Sequence, residues 1–207
     1  MRLLLTTFLG LSLFISNISA QSLMNLIQWQ ESDGGNGHWY AIMSEQYHWS
    51  DAVAAAATLA SIEGREAHLA TITSYNENQF IFENLVYNSM APLYGDQAWL
   101  GGYDAGGGNW QWITDESFDY TNWAPDEPNN PGSELSMSMW DLDTDPEKPN
   151  QVPGMWNNSL AEDRDWWSIV EWGDAPDLHP PAIPEPSTIL LLALGLGTLV
   201  IRKFYSE

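Results

Sequence analysis

Two short stretches, NWAPDEPNN at 122–130 and WNNS at 156–159, crowd asparagine amides and carboxylates beside tryptophan and proline. The chain carries 28 acidic residues against 6 basic ones, so further oxygen donors in one place need a chemical reason. A hard cation supplies one. Ca²⁺ takes about 6–8 oxygen ligands from carboxylates, amide carbonyls and water, and both kinds of protein ligand are present here. Asparagine and glutamate also donate to and accept from sugar hydroxyls. A cation, a hydroxyl-rich ligand or both together would use such a cluster.

Other chemistries find less support. The chain has no cysteine, which removes disulfides, thiol catalysis and Cys-type zinc sites together. His38, His48, His68 and His179 lack metal-ligand spacing to one another and receive no function. No Ser, Cys or His base constellation for catalysis and no glycine-rich phosphate loop is present, so the chain is not read as an enzyme. The strong negative charge excludes nucleic acid as a partner, because nothing would neutralise the phosphates. Asp141, Asp143 and Asp145 imitate the start of an EF-hand loop, but Pro146 stands where glycine is needed and no glutamate fills the twelfth place. A second cation site there and a solvated acidic loop both stay open. Asn157-Asn158-Ser159 matches the glycosylation sequon and is taken as a chance match.

The elements that must position the two clusters can be read from pattern. HWYAIM predicts a buried strand over 38–43, and HWSDAVAAAATLASIEG a helix over about 50–60 with Ser50 as N-cap and Gly64 as stop. HLATI is short and extended. A second helix over about 75–87, capped by Thr73 or Ser74, places Phe80, Ile81, Leu85 and Val86 at helical spacing. From Ala98 onward AWLGGYD, NWQWIT, SELSMSMW and WWSIVEW are short strand-like segments between turn residues, with the glycines at 101–108 read as turn material. Helices followed by several short strands predict an α+β domain.

Taken in order, Trp49 and Ala52, HLATITSYNENQFI, AWLGGYD, NWQWITDESFDYTNWAPDEPNN, WNN at 156–158 and IVEW resemble the C-type lectin-like domain over about residues 36–173. The resemblance implies two helices flanking small antiparallel sheets, with a long irregular binding loop. It places Glu127, Asn129, Glu134, Asn157 and Asn158 around one Ca²⁺, with Pro128 in the cis form. It also gives Glu127, Asn129, Glu134 and Asn157 a role in carbohydrate binding, with the mannose or glucose preference that goes with Glu-Pro-Asn.

The departures are specific. Asn158 stands where the family has aspartate, which removes one of three expected carboxylates, and Glu162 or Asp163 are candidates to replace the charge. The family's cysteine positions hold Ala56 and Val170 for one bridge, and Ser136 and Ala161 for the other. Trp110, Trp112, Trp123, Trp156 and Trp172 are read as core in preference to sugar platforms.

Both ends are set apart from the domain. Residues 1–20 read as a signal peptide, 21–175 as the domain, and 176–186 as a Pro-rich linker. Residues 187–207 form an apolar segment, Thr188–Ile201, followed by Arg202 and Lys203. With Pro184-Glu185-Pro186 ahead of it, this tail resembles the PEP-CTERM sorting tag. That implies export from a Gram-negative cell, transient anchoring in the inner membrane, and a processed product at the surface or in the exopolysaccharide matrix. The expected function is calcium-dependent carbohydrate binding. The alternative is a structural or protein-binding domain of the same fold without sugar binding.

Overall fold

A computed structural model describes residues 23–90, 97–141, 149–161 and 164–174. The expected signal peptide and apolar tail, and Asp143, Asp145, Glu162, Asp163 and His179, lie outside the described residues. Among the described residues no helix is long and apolar enough to cross a membrane.

Strand β1, Leu23–Gln28, is followed by a 3-10 turn at Glu31–Asp33 and by β2, Trp39–Met43. Helix α1, Trp49–Ala56, leads to the short β3, Ala67–Leu69. Helix α2, Tyr75–Ile81, continues directly as a π-helix over Phe82–Met90. Five strands complete the domain: β4 (Gln97–Asp104), β5 (Trp110–Trp112), β6 (Ser136–Trp140), β7 (Trp156–Ser159) and β8 (Trp167–Trp172). They form one sheet in the order β1-β2-β8-β4-β6-β7, with β3 also on β8 and β5 also on β4. Among the described strands only β4 and β8 pair in parallel. Antiparallel pairing of β2 with β8, Trp39 opposite Trp172, brings the two ends of the domain together and leaves the chain between them as one closed loop.

Alternation along β2 shows how the sheet is covered. Tyr40 and Ile42 join a core with Ile81, Leu85, Val86, Trp112 and Trp156, under α2 and its π-helical continuation. Ala41 and Met43 join the opposite core with Trp49, Ala52 and Ala56 of α1. The two helices therefore cover opposite faces. Trp112, Trp156 and Trp172 are buried; Trp110 and Trp123 are half-buried and pack edge to face, 4.8 Å between ring centres. Indole N–H groups tie separate elements together: Trp49 to the Leu100 carbonyl and Trp99 to that of Tyr47, both at 2.8 Å, and Trp172 to that of Ala60 at 2.9 Å. Ala56 and Val170 sit together in the α1-side core, so apolar contact fills that bridge position.

Three expectations need correction. The first helix starts at Trp49 with His48 as its N-cap, and Ser50 lies inside the first turn, so its hydroxyl is past the capping place. It also ends at Ala56. Thr58 and Leu59 turn back onto the carbonyls of Ala55 and Ala56, so the Ala-rich run closes in a turn well before Gly64. Finally, Gly101 and Gly102 are not turn residues: they lie inside β4, where a Cβ on Gly101 would come 2.7 Å from the Leu69 carbonyl. Gly106, Gly107 and Gly108 do form the turn to β5, at positive φ. For the second helix, Ser74 is the cap, accepting from the Glu77 amide. Strand β1 carries no strand signal in the sequence pattern.

Candidate functional site

The loop from Asn122 to Glu134 leaves β5 and returns to β6, and its first residues lie along β7. The Trp156 amide donates to the Asn122 carbonyl at 2.7 Å and the Ala124 amide to the Trp156 carbonyl at 2.9 Å. Trp156 is fully buried, its indole held at 2.8 Å by Asn78 and ringed by Trp112, Phe118, Tyr120 and Trp123. This aromatic post fixes the height of the loop over the sheet edge.

Beyond it the peptide between Glu127 and Pro128 is cis, as the resemblance implies. Asp126 and Asn130 adopt positive φ, values that aspartate and asparagine tolerate better than most residues. The Glu127 carboxylate accepts from the Asn129 amide N–H at 3.0 Å and from its side-chain Nδ2 at 2.8 Å. Asn158 reaches up from β7: its Oδ1 accepts from the Asn129 main-chain N–H at 2.8 Å, and its Nδ2 donates to the carbonyls of Asn129 and Glu134.

Glu127, Asn129, Asn158 and the main-chain carbonyl of Glu134 therefore meet at one place, with the Glu134 charge acting on Glu127. Asn157 points the other way. Strand alternation sets it on the opposite face, where its amide donates to Gln97 Oε1 at 3.1 Å and Ser159 Oγ at 2.8 Å. Gln97 in turn accepts from Ser138. That buried polar row is invisible in the sequence, because its members come from β4, β6 and β7.

Charge is unbalanced at the loop. Among the described residues no basic side chain pairs with Glu127 or Glu134. Burial raises the Glu127 carboxyl above its ordinary range, and the charges of Glu134 and Asp126 push in the same direction against the lowering effect of the Asn129 N–H groups. Two half-buried carboxylates and two asparagine carboxamides, with no sulfur or imidazole, make an oxygen-only donor set.

Asp141, the first residue of the EF-hand-like stretch, is buried at the end of β6. A second group missed in the sequence lies between β2, β8 and α2, where His38, Glu77 and Glu171 place ligand atoms within 4.8 Å of one another. Glu171 belongs to the IVEW segment, but 133 residues separate it from His38, so no local spacing could signal the pair.

Residues 45–161 match the lectin C-type domain family, and residues 182–203 match the PEP-CTERM protein-sorting motif. The chain belongs to the C-type lectin domain family. This makes it a binding domain and not an enzyme. Lectin BRA-3 of Megabalanus rosa is 35% identical over 105 residues, 50% of this chain and 56% of that protein. The chain spans little more than half the length of the curated relatives it matches, or less. Among solved structures, the carbohydrate-recognition domain of cow CD23, determined with a GlcNAc2Man3 oligosaccharide, superposes with a TM-score of 0.52 at 20% identity, covering 75% of this chain and 95% of that one. A calcium-independent type II antifreeze protein does so with a TM-score of 0.51 at 20% identity, covering 72% and 95%. At such identity the likeness shows the C-type lectin fold. The sorting motif implies export and sorting in a bacterium.

Proposed function

We propose that this exported C-type lectin domain binds carbohydrate through a Ca²⁺ held at the loop by Glu127, Asn129, Glu134 and Asn158. The observation that carries the reading is the meeting of the Glu127 carboxylate, two asparagines and the Glu134 main-chain carbonyl at one place, within reach of the Glu134 charge and with no basic partner among the described residues. All donors are hard oxygens, which fits Ca²⁺. Asn157 would join them only by turning its amide away from Gln97 and Ser159. A bound Ca²⁺ would supply a positive centre for sugar hydroxyls; Glu127 and Glu134 would accept from those hydroxyls and Asn129 would donate to them, with Trp156 holding the loop over the sheet edge. The Glu-Pro-Asn triplet points to mannose- or glucose-type sugars.

The same reading places residues 21–175 in the folded module, 176–186 in the linker, and 187–207 in a segment that anchors the chain transiently before removal. The product then works at the cell surface or in the exopolysaccharide matrix.

One observation favours a second reading. Asn158 already holds the loop by donating to Asn129 and Glu134 carbonyls, a task an ion could otherwise perform. A structural or protein-binding module needs no more than that. A glycan array of the full chain, run in calcium and in chelator, separates the two. Signal on mannose- or glucose-type glycans that chelator removes supports the lectin; calcium-independent protein binding without glycan signal supports the module.

A further inference from the structure

Asn78 stands in the middle of α2 and is fully buried. A carboxamide in such a place needs partners for both of its ends, since a buried polar group left unpaired is costly. Both partners lie in the connection that leads into β7. Asn78 Oδ1 accepts from the Trp156 indole N–H at 2.8 Å, and Nδ2 donates to the Gly154 carbonyl at 3.0 Å. These partners fix which end is which, because an indole nitrogen only donates and a main-chain carbonyl only accepts. Aspartate in its place would set a second oxygen against the Gly154 carbonyl. Leucine would leave the indole N–H unpaired.

Gly154 and Trp156 are also where the binding loop is tied down. Asn122, at the start of the loop, donates from Nδ2 to the same Gly154 carbonyl at 2.9 Å and accepts the Trp156 N–H on its own carbonyl at 2.7 Å. Ala124 donates to the Trp156 carbonyl at 2.9 Å and accepts from the Glu127 N–H at 3.0 Å. Two residues beyond Trp156, on the same face of β7, Asn158 holds Asn129 and Glu134. Contacts leading from Asn78 therefore fork at Trp156, one branch reaching Glu127 and the other Asn158. Among the described residues Asn78 bonds to none of the proposed ligands itself.

The connection has little freedom to settle elsewhere. The Gly154 N–H donates to the Trp140 carbonyl and the Trp140 N–H to that of Met155, both at 2.9 Å. Gly154 has a φ of 76° and lies against Phe82, where a Cβ would stand 2.9 Å from the ring. On the helix side Glu77 fixes the same turn, accepting from the Tyr40 hydroxyl at 2.6 Å and the Thr73 N–H at 2.7 Å. A displaced Trp156 indole is thus passed on to both ends of the loop. Binding groups have to be held within about 0.5 Å of their productive places, so such a displacement weakens a ligand that needs them all.

We propose that Asn78 is the positioning residue of the binding loop, setting through Trp156 and Gly154 the spacing of the Glu127, Asn129 and Asn158 oxygens and with it the affinity for calcium. The calcium arm of the experiment rests on the loop site proposed above; the exchange arm does not. In calorimetry of the full chain, at a temperature where the variant is folded, Asn78→Leu should weaken calcium binding roughly tenfold, as residues behind a metal ligand do. Gly101→Ala, which strains β4 against β3, should leave the calcium affinity as it is. Equal losses in the two variants, or no loss in Asn78→Leu, would overturn the positioning role. In chelator, the Ala124 and Asn129 N–H groups should exchange with solvent faster in Asn78→Leu, measured against the Tyr47 N–H, which is bonded to Trp166 in the α1-side core. Unchanged ratios would overturn the role as well. A wild type that takes up no calcium would sink the loop site alone, and exchange then decides for Asn78. If Asn78→Leu does not fold, the wild type still answers: calcium should shift the Trp156 indole N–H resonance and leave that of Trp172, bonded to Ala60, in place. A Trp156 resonance indifferent to bound calcium would show that the post and the loop are not coupled.

Discussion

Asn158 Nδ2 donates to the main-chain carbonyl of Glu134 at 3.0 Å, and through this contact strand β7 holds the far end of the binding loop. The same nitrogen donates to the Asn129 carbonyl, while Oδ1 accepts from the Asn129 N–H. An aspartate could keep only the last of these. The change from the family's aspartate thus trades a negative ligand for two donors that support the loop in the absence of an ion.

Asn158→Asp should therefore act in two directions. Without calcium it turns two carbonyls toward a carboxylate, and leaving such groups unpaired costs about 1–3 kcal/mol. With calcium the third carboxylate should tighten the ion by roughly tenfold, about 1.4 kcal/mol. Melting in chelator and in calcium measures both. The variant should melt below wild type in chelator and gain more from calcium; an equal gain for both proteins would mean that Asn158 does not face the ion.

Calcium should stabilise the wild-type fold, since a ligand bound only by the native state adds about 2.7 kcal/mol at a hundredfold excess over its Kd. Glu127→Gln and Glu134→Gln should each remove most of that rise in melting temperature. Glu134→Gln should not lower the melting temperature in chelator, because it relieves repulsion of a carboxylate that lacks a basic partner among the described residues, whereas Glu127→Gln also gives up one of the two acceptors that Asn129 uses. Variants that keep the full response to millimolar calcium would show that the ion binds elsewhere.

What the sequence reveals follows from how local each feature is. Ser74 caps α2 three residues before Glu77, and Ile81, Leu85 and Val86 repeat at helical spacing, so that helix is legible. The cis bond before Pro128 and the oxygen-rich loop are legible from a contiguous motif. The direction of Asn157 is not, because it depends on Gln97 and Ser159 competing for its amide across a register that only the sheet defines. The His38 group is hidden for the same reason, its members being joined only when β2, β8 and α2 assemble. Strand β1 is not legible in the sequence, because Asn25 and Leu26 are both exposed and its pairing with β2 carries a bulge.

Gly101→Ala tests the close approach of β3 to β4. The added methyl carbon would sit 2.7 Å from the Leu69 carbonyl oxygen and 3.2 Å from that of Ala70, both main-chain atoms that cannot swing aside. Overpacking of this kind costs about 1–3 kcal/mol, and the Gly101 N–H bond to Ala70 would lengthen with it. Urea unfolding should show a lower midpoint with little change in slope. An unchanged midpoint would mean that the two strands lie further apart than the structure has them.

The last prediction concerns pH in chelator, with no ion bound. Burial, then the charge of Glu171, pushes the Glu77 carboxyl up to about 7, against the lowering pull of the Tyr40 and Thr73 hydrogen bonds. Burial works against the charge on His38, yet the hydrogen bond and charge of Glu171 outweigh it and leave that imidazole raised. Both folded values lie above the unfolded ones, so both groups bind protons more tightly in the native state. Their contribution is complete in acid and is lost as pH rises, for Glu77 between about 4.5 and 7 and for His38 from about 6.5 upward. Each proton changes stability by at most about 1.4 kcal/mol per pH unit. The melting temperature should fall from pH 5 to pH 8. General repulsion in so acidic a chain adds to the same trend, so the difference between wild type and Glu77→Gln is the measurement that counts. Glu77→Gln should flatten the fall below pH 7 and leave the part above it, where His38 loses its proton. Parallel curves for the two proteins would mean that Glu77 ionises in the folded chain as it does in the unfolded one.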